Sequence, residues 1–177
     1  QAHQNERINE NITWKICNIF LLFSFIIYTN YDNNPLMKKK FEQLSNKPSY
    51  MKHNGGLLFR SITKKKFEFK TKIKKTHLNK AGITHGGYIC TIIDAGAGTA
   101  CHRASGNKPC VTISLDIKFI APSNIGDELL GTVEIQKVTK SMVFINCKLK
   151  CKNKLIASAV GIWKILRRPL PNAGLGG

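Results

Sequence analysis

Acidic residues are scarce in this 177-residue chain. Ten Asp and Glu stand against 28 Lys and Arg, a formal net charge of +18. Such a surplus favours anionic partners: nucleic acid, acidic lipid headgroups or phosphorylated small molecules. Nucleic-acid binding would call for basic residues interleaved with exposed aromatics, or a known module. Instead the lysines alternate with apolar residues, as in Lys66-Phe67-Glu68-Phe69-Lys70. That is the solvent face of a strand, so no nucleic-acid partner is expected. Cysteine is present six times (Cys17, Cys90, Cys101, Cys110, Cys147, Cys151), but no CxxC pair occurs and no Cys/His cluster has zinc-site spacing. Several of these cysteines fall in apolar stretches and read as small hydrophobes, reduced in an intracellular protein. The sequence also lacks a P-loop, a GxGxxG turn and a Gly-x-Ser-x-Gly elbow. These absences remove the common nucleotide-binding and serine-hydrolase readings.

No apolar run reaches the roughly 20 residues of a comfortable membrane span. Residues 16–28, ICNIFLLFSFIIY, are interrupted by Asn18 and Ser24. They match the apolar region of a secretory signal, with Arg7 and Lys15 upstream, but no small-residue cleavage pattern follows. Three readings of residues 1–36 stay open: a signal or anchor that contacts membrane, an organelle-targeting extension, and sequence upstream of a start at Met37. The compartment, cytoplasmic or organellar, stays open with them. Charge divides the chain in the same place. Residues 1–36 net −1, residues 37–80 net +12, and residues 81–177 net +7.

With 42% apolar residues the chain can bury a core, and its length suits one domain. Residues 37–50 read as a short basic helix ending near Pro48, followed by a turn at His53-Asn54-Gly55-Gly56. Strands are predicted over 57–62 and 65–75, the second alternating Phe67, Phe69, Thr71 and Ile73 on one face. Residues 77–84 form an irregular loop, and residues 85–104 a long helix. Its Ala95, Gly96, Ala97, Gly98 and Ala100 would disfavour an exposed helix, since glycine costs about 1 kcal/mol against alanine. They make sense if sheet or a second helix wraps it closely. Four strands follow, over 111–119, 128–138, 142–152 and 154–166; the first should turn Val111, Ile113, Leu115, Ile117 and Phe119 to one face. A meander of antiparallel strands with one early helix must bury that helix against the sheet. The expected organisation is an extension over 1–36, a helix and turn over 37–56, an α+β domain over 57–166 and a loose Pro/Gly tail over 167–177.

The chemistry has to come from the stretch His77-Leu78-Asn79-Lys80-Ala81-Gly82-Ile83-Thr84-His85-Gly86-Gly87-Tyr88 and the helix it opens. Gly86 and Gly87 stand where backbone N–H groups lack intrahelical partners and the helix dipole is positive. Glycine there lets a ligand approach the backbone, as an oxyanion site requires. A glycine-rich helix entry with no ligand fits this loop equally well.

The pattern Asn-x-x-Gly-x-x-His-Gly-Gly from Asn79, with Asp94 eight residues after Gly86, resembles the hotdog-fold thioesterases, closest to the PaaI-like and thioesterase superfamily member 2 group. The likeness continues through Val111-Thr112-Ile113-Ser114-Leu115-Asp116, Ala121-Pro122 and Gly126-Asp127-Glu128. It implies a hotdog fold and hydrolysis of acyl-coenzyme A to acid and CoA without metal or organic cofactor. It also implies site roles. The Gly86 amide polarises the thioester carbonyl beside Gly87, Asn79 positions the reacting group or water, and Asp94 activates water or attacks directly. His85 shapes the loop. Thr112 stands where the family has a serine, keeping the hydroxyl and adding a methyl.

Eight helical residues separate Asp94 from Gly86 by about 12 Å along the axis. A catalytic base must come within about 3 Å of its proton or act through one water. One helix cannot serve one carbonyl with both groups, whereas a second, antiparallel copy could. A homodimer or dimer of dimers with shared sites is therefore expected. Cations for the CoA phosphates are sought at Lys137, Lys140, Lys164, Arg167 and Arg168. Three other readings remain: a hotdog domain that binds acyl-CoA or acyl carrier protein without turnover, a basic adaptor on nucleic acid or membrane, and a capping or solvated Asp94.

Overall fold

The computed structural model describes residues 40–44 and 48–167. The readings made for residues 1–36 and for Arg168 and the tail beyond it lie outside the described residues. Among the described residues no helix is long and apolar enough to cross a membrane.

Strand β1 (Glu42–Gln43) precedes helix α1 (Tyr50–His53), and strands β2 (Leu58–Ser61) and β3 (Lys66–Lys72) follow. A 3-10 turn (Lys75–His77) then leads to the long helix α2 (Gly86–Ala104). The chain ends in four strands: β4 (Cys110–Phe119), β5 (Glu128–Val138), β6 (Met142–Cys151) and β7 (Lys154–Ile165). All seven strands form one antiparallel sheet in the order β1-β2-β3-β5-β6-β7-β4, which leaves β4 at an edge.

The helix is buried because the sheet curls over it. Ile92, Ile93, Ala97, Ala100 and Cys101 of α2 are 0% exposed, as are Phe69, Leu129, Val133 and Leu149 from the sheet. The small residues explain how closely the layers approach. A methyl at Gly96 of α2 or at Gly131 of β5 would fall well inside contact distance of the Phe69 ring. Phe69 thus fills the space that two glycines vacate.

Three expectations are corrected. The basic helix over 37–50 is not formed at residues 40–44, because Glu42 and Gln43 pair with Phe59 and Leu58 as an edge strand. Helix starts only at Tyr50, after Pro48, where the Ser49 hydroxyl accepts the Lys52 N–H at 3.2 Å. It stops at Asn54, and Gly55 and Gly56 turn the chain with φ of +96° and +75°. The strand expected to run to Lys75 stops at Lys72, and its last residues enter the 3-10 turn. The third correction matters most. The β4–β7 register slips between Thr112 and Ser114, a bulge at Ile113. One extra residue reverses the alternation upstream of it. Ile113 is 54% exposed, and Thr112 rather than Val111 turns toward the helix.

Candidate active site

His85 caps α2. Its imidazole Nδ1 accepts the Gly87 N–H at 2.8 Å, and its carbonyl accepts from Tyr88 at 2.9 Å and Ile89 at 3.2 Å. Those bonds use the neighbouring donors of the first turn. The Gly86 N–H alone among residues 86–89 has no acceptor among the described residues. It stands at the positive end of a 19-residue helix. A Cβ at Gly86 would meet only the Phe119 ring, at 3.5 Å.

The loop before the helix is tied down on three sides. Asn79 Oδ1 accepts the Ala81 N–H at 2.9 Å and the Ile83 N–H at 3.4 Å, closing a turn in which Gly82 has a φ of +78°. This occupies the oxygen of Asn79 and leaves its Nδ2 without a partner among the described residues. Thr84 Oγ1 donates to the Ser123 carbonyl at 3.0 Å, and Ser123 Oγ donates to Thr84 Oγ1 at 2.7 Å, both side chains buried. The His85 N–H donates to the His77 carbonyl at 2.8 Å.

His77 is the third anchor and is 4% exposed. Its Nδ1 accepts the Lys74 N–H at 3.1 Å, so the proton sits on Nε2, which donates to the Asn54 carbonyl at 3.1 Å. The ring stacks on Tyr88 at 3.7 Å, and the Tyr88 hydroxyl bonds Thr71 Oγ1 at 3.1 Å. Burial lowers the His77 pKa below its ordinary value, and the nearby Lys74 charge lowers it further, against the hydrogen bond to Asn54. His77 is a neutral structural histidine.

Two turns into the helix, half-buried Asp94 meets β4. Thr112 Oγ1 donates to Asp94 Oδ1 at 2.7 Å. This contact exists because the bulge at Ile113 turns Thr112 inward. The structure thus joins Asp94 to Thr112, and groups His85, Gly86 and Gly87 at the helix start behind the Asn79 turn. It does not bring Gly86 to Asp94 within one chain.

Lys137, Lys140, Lys164 and Arg167 are exposed, and none forms an ion pair among the described residues. The register puts Lys164 opposite Val111 on one side and Met142 on the other, with Lys137 opposite Phe144. These cations therefore collect at the Thr112 end of the sheet. Among the described residues no group of three or more His, Cys, Asp or Glu could hold a metal ion. The five described cysteines are free, and burial pushes the Cys147 thiol up to about 12. Sequence reasoning gave no role to His77, Ser123 or Trp163, which lies opposite Thr112 on β7. Their only signal was placement in strands and turns, because their partners are distant in sequence.

The profile of the thioesterase superfamily matches residues 81–157, from the helix-entry loop into β7. A Pseudomonas aeruginosa protein named as an esterase is 30% identical over 95 residues, covering 53% of this chain and 71% of that one. Mouse acyl-coenzyme A thioesterase 13 is 33% identical over 88 residues, covering 49% of this chain and 63% of that one. Among solved structures, zebrafish thioesterase superfamily member 2 superposes with a TM-score of 0.63 at 23% identity, over 68% of this chain and 89% of that one. The α+β architecture is the hotdog fold, a sheet wrapped around one long helix. The chain belongs to the thioesterase superfamily, whose class of reaction is hydrolysis of thioesters.

Proposed function

We propose that the protein hydrolyses acyl-CoA to a free acid and CoA, at sites completed by a second copy of the chain. The observation that carries this reading is the Thr112–Asp94 hydrogen bond at 2.7 Å, which holds one carboxylate oxygen and leaves the other for water. The likeness to acyl-coenzyme A thioesterase 13 supports the substrate class. Asp94 takes a proton as the water oxygen bonds to the thioester carbon. The carbonyl oxygen gains negative charge and is met by the free Gly86 N–H at the positive helix end. As the intermediate collapses the C–S bond breaks, and Asp94 returns the proton to the departing CoA sulfur. Gly87 lets the thioester lie close to the backbone, while Asn79 presents its Nδ2 and His85 keeps the loop in shape.

The edge position of β4 supports the shared site. Its outer edge has no strand partner among the described residues, and Ile113 and Phe119 stand 54% and 57% exposed on it. Exposed edges with apolar side chains invite pairing, and symmetric antiparallel pairing is the simplest closure. Thr112 with Asp94 lies near the start of β4, and Phe119 with Gly86 lies near its end. Two antiparallel β4 strands paired about their centres therefore bring Asp94 of one chain toward Gly86 of the partner subunit. CoA phosphates would meet Lys137, Lys140, Lys164 and Arg167 beside the Thr112 end. Release of CoA thiol across an acyl-CoA length series tests the reading. Binding without release at every length would favour a non-catalytic acyl-CoA binder.

A further inference from the structure

Trp163 is 1% exposed, and its indole N–H is its one polar group. That N–H forms no hydrogen bond among the described residues. Yet no fully enclosed side-chain nitrogen or oxygen among them lacks a partner. The indole nitrogen is therefore unpaired and not fully enclosed. Gly98 of α2 is its neighbour, and an added Cβ there would stand 3.4 Å from Trp163 Nε1. A methyl at that position would rest against the indole nitrogen.

Its position relates this nitrogen to the reaction. Trp163 is the direct cross-strand partner of Thr112, which holds Asp94. Gly98 is four residues beyond Asp94, on the same helix face and about 6 Å further along the axis. A donor thus waits one helical turn past the carboxylate. We propose that Trp163 is a specificity-determining residue whose N–H, reached over Gly98, receives an oxygen of the acyl group. The preferred substrates are acyl-CoA thioesters carrying a hydroxyl or keto oxygen two or three carbons beyond the thioester carbonyl. A saturated chain in the same place leaves the N–H desolvated and unpaired, which sites built to hydrogen-bond a substrate penalise. The inference rests on the acyl-CoA reading above.

The test compares hexanoyl-CoA with its 3-hydroxy and 4-hydroxy derivatives on the full chain. Two readouts are taken: kcat/KM of wild type, and Kd by equilibrium dialysis on Asp94→Asn, in which hydrolysis is slowed. At least one hydroxylated thioester is favoured by about tenfold, the worth of one hydrogen bond. Trp163→Phe removes the donor and keeps a ring, and it brings the preference close to unity. Gly98→Ala covers the N–H without altering Trp163 and does the same, so it decides the matter if Trp163→Phe fails to fold. Equal handling of the three thioesters by wild type overturns the inference, as does an unchanged preference in folded Trp163→Phe or Gly98→Ala. Selective binding with no CoA release sinks the hydrolytic reading and leaves Trp163 in place. Hydrolysis without selectivity does the reverse.

Discussion

At the residue scale, Asp94 depends on one neighbour. Asp94→Asn keeps an oxygen that can still accept from Thr112, so the local structure should persist while the proposed base is lost. Turnover should fall by about 10²–10⁴-fold, the range for general-base catalysis, with an unchanged circular dichroism spectrum. Thr112→Val should also slow turnover, and Thr112→Ser should restore it, because the hydroxyl rather than the methyl touches Asp94. Near-normal rates in folded Asp94→Asn would remove it from the chemistry. Gly86 gives the complementary case. A Cβ there meets only the ring of Phe119, at an ordinary contact distance of 3.5 Å. Gly86→Val should therefore abolish thioesterase activity while shifting the melting temperature by only a few degrees, read by scanning calorimetry. Wholesale unfolding instead would make the glycine structural.

At the scale of elements, helix α2 and the loop before it are held by packing and by a neutral histidine. Alanine is the better helix former by about 1 kcal/mol, so propensity alone favours Gly96→Ala. The added methyl, however, overlaps Phe69, whose ring is confined on its other side by Gly131. Overpacking of this kind costs about 1–3 kcal/mol, so the substitution should lower the denaturation midpoint. A rise would mean that Phe69 can move. His77 makes the loop sensitive to acid. Burial lowers its pKa from the ordinary 6.5, so below that value the unfolded chain takes up a proton that the folded one resists. The His77 contribution to stability is complete above pH 6.5 and is lost as pH falls toward the folded-state value. A protonated Nδ1 can no longer accept the Lys74 N–H. Melting temperature against pH should show this acid-side loss, and it should be smaller in His77→Gln.

At the scale of the whole molecule, the proposed site draws its Gly86 and its Asp94 from two different chains. Asp94→Asn and Gly86→Val homodimers should each be inactive. In a mixed dimer one site receives both defects and the other neither. Random exchange makes half the dimers mixed with half their sites whole, so activity should recover to about a quarter of wild type. Rate against mixing ratio, with exchange confirmed independently, gives the answer. No recovery would mean that each chain builds its own site.

The sequence by itself determined the order of the main strands and long helix from β2 to β7, the extent of that helix from His85 to Ala104 and the motif around His85-Gly86-Gly87, because hydrophobic period and turn residues are local. The proposal of a second chain at the site likewise starts from a local quantity, the helical rise between Gly86 and Asp94. Tertiary structure decided the rest. A bulge at Ile113 reversed the strand alternation and turned Thr112 to Asp94, against the apolar pattern from Val111 to Phe119. Residues 42–43 became strand rather than helix because β2 offered a free edge. The Ser123–Thr84 bond, the His77–Tyr88 stack and the unpaired indole of Trp163 join residues distant in the chain. Such contacts follow from register and burial, which depend on the whole sheet and leave no local trace in the residues themselves.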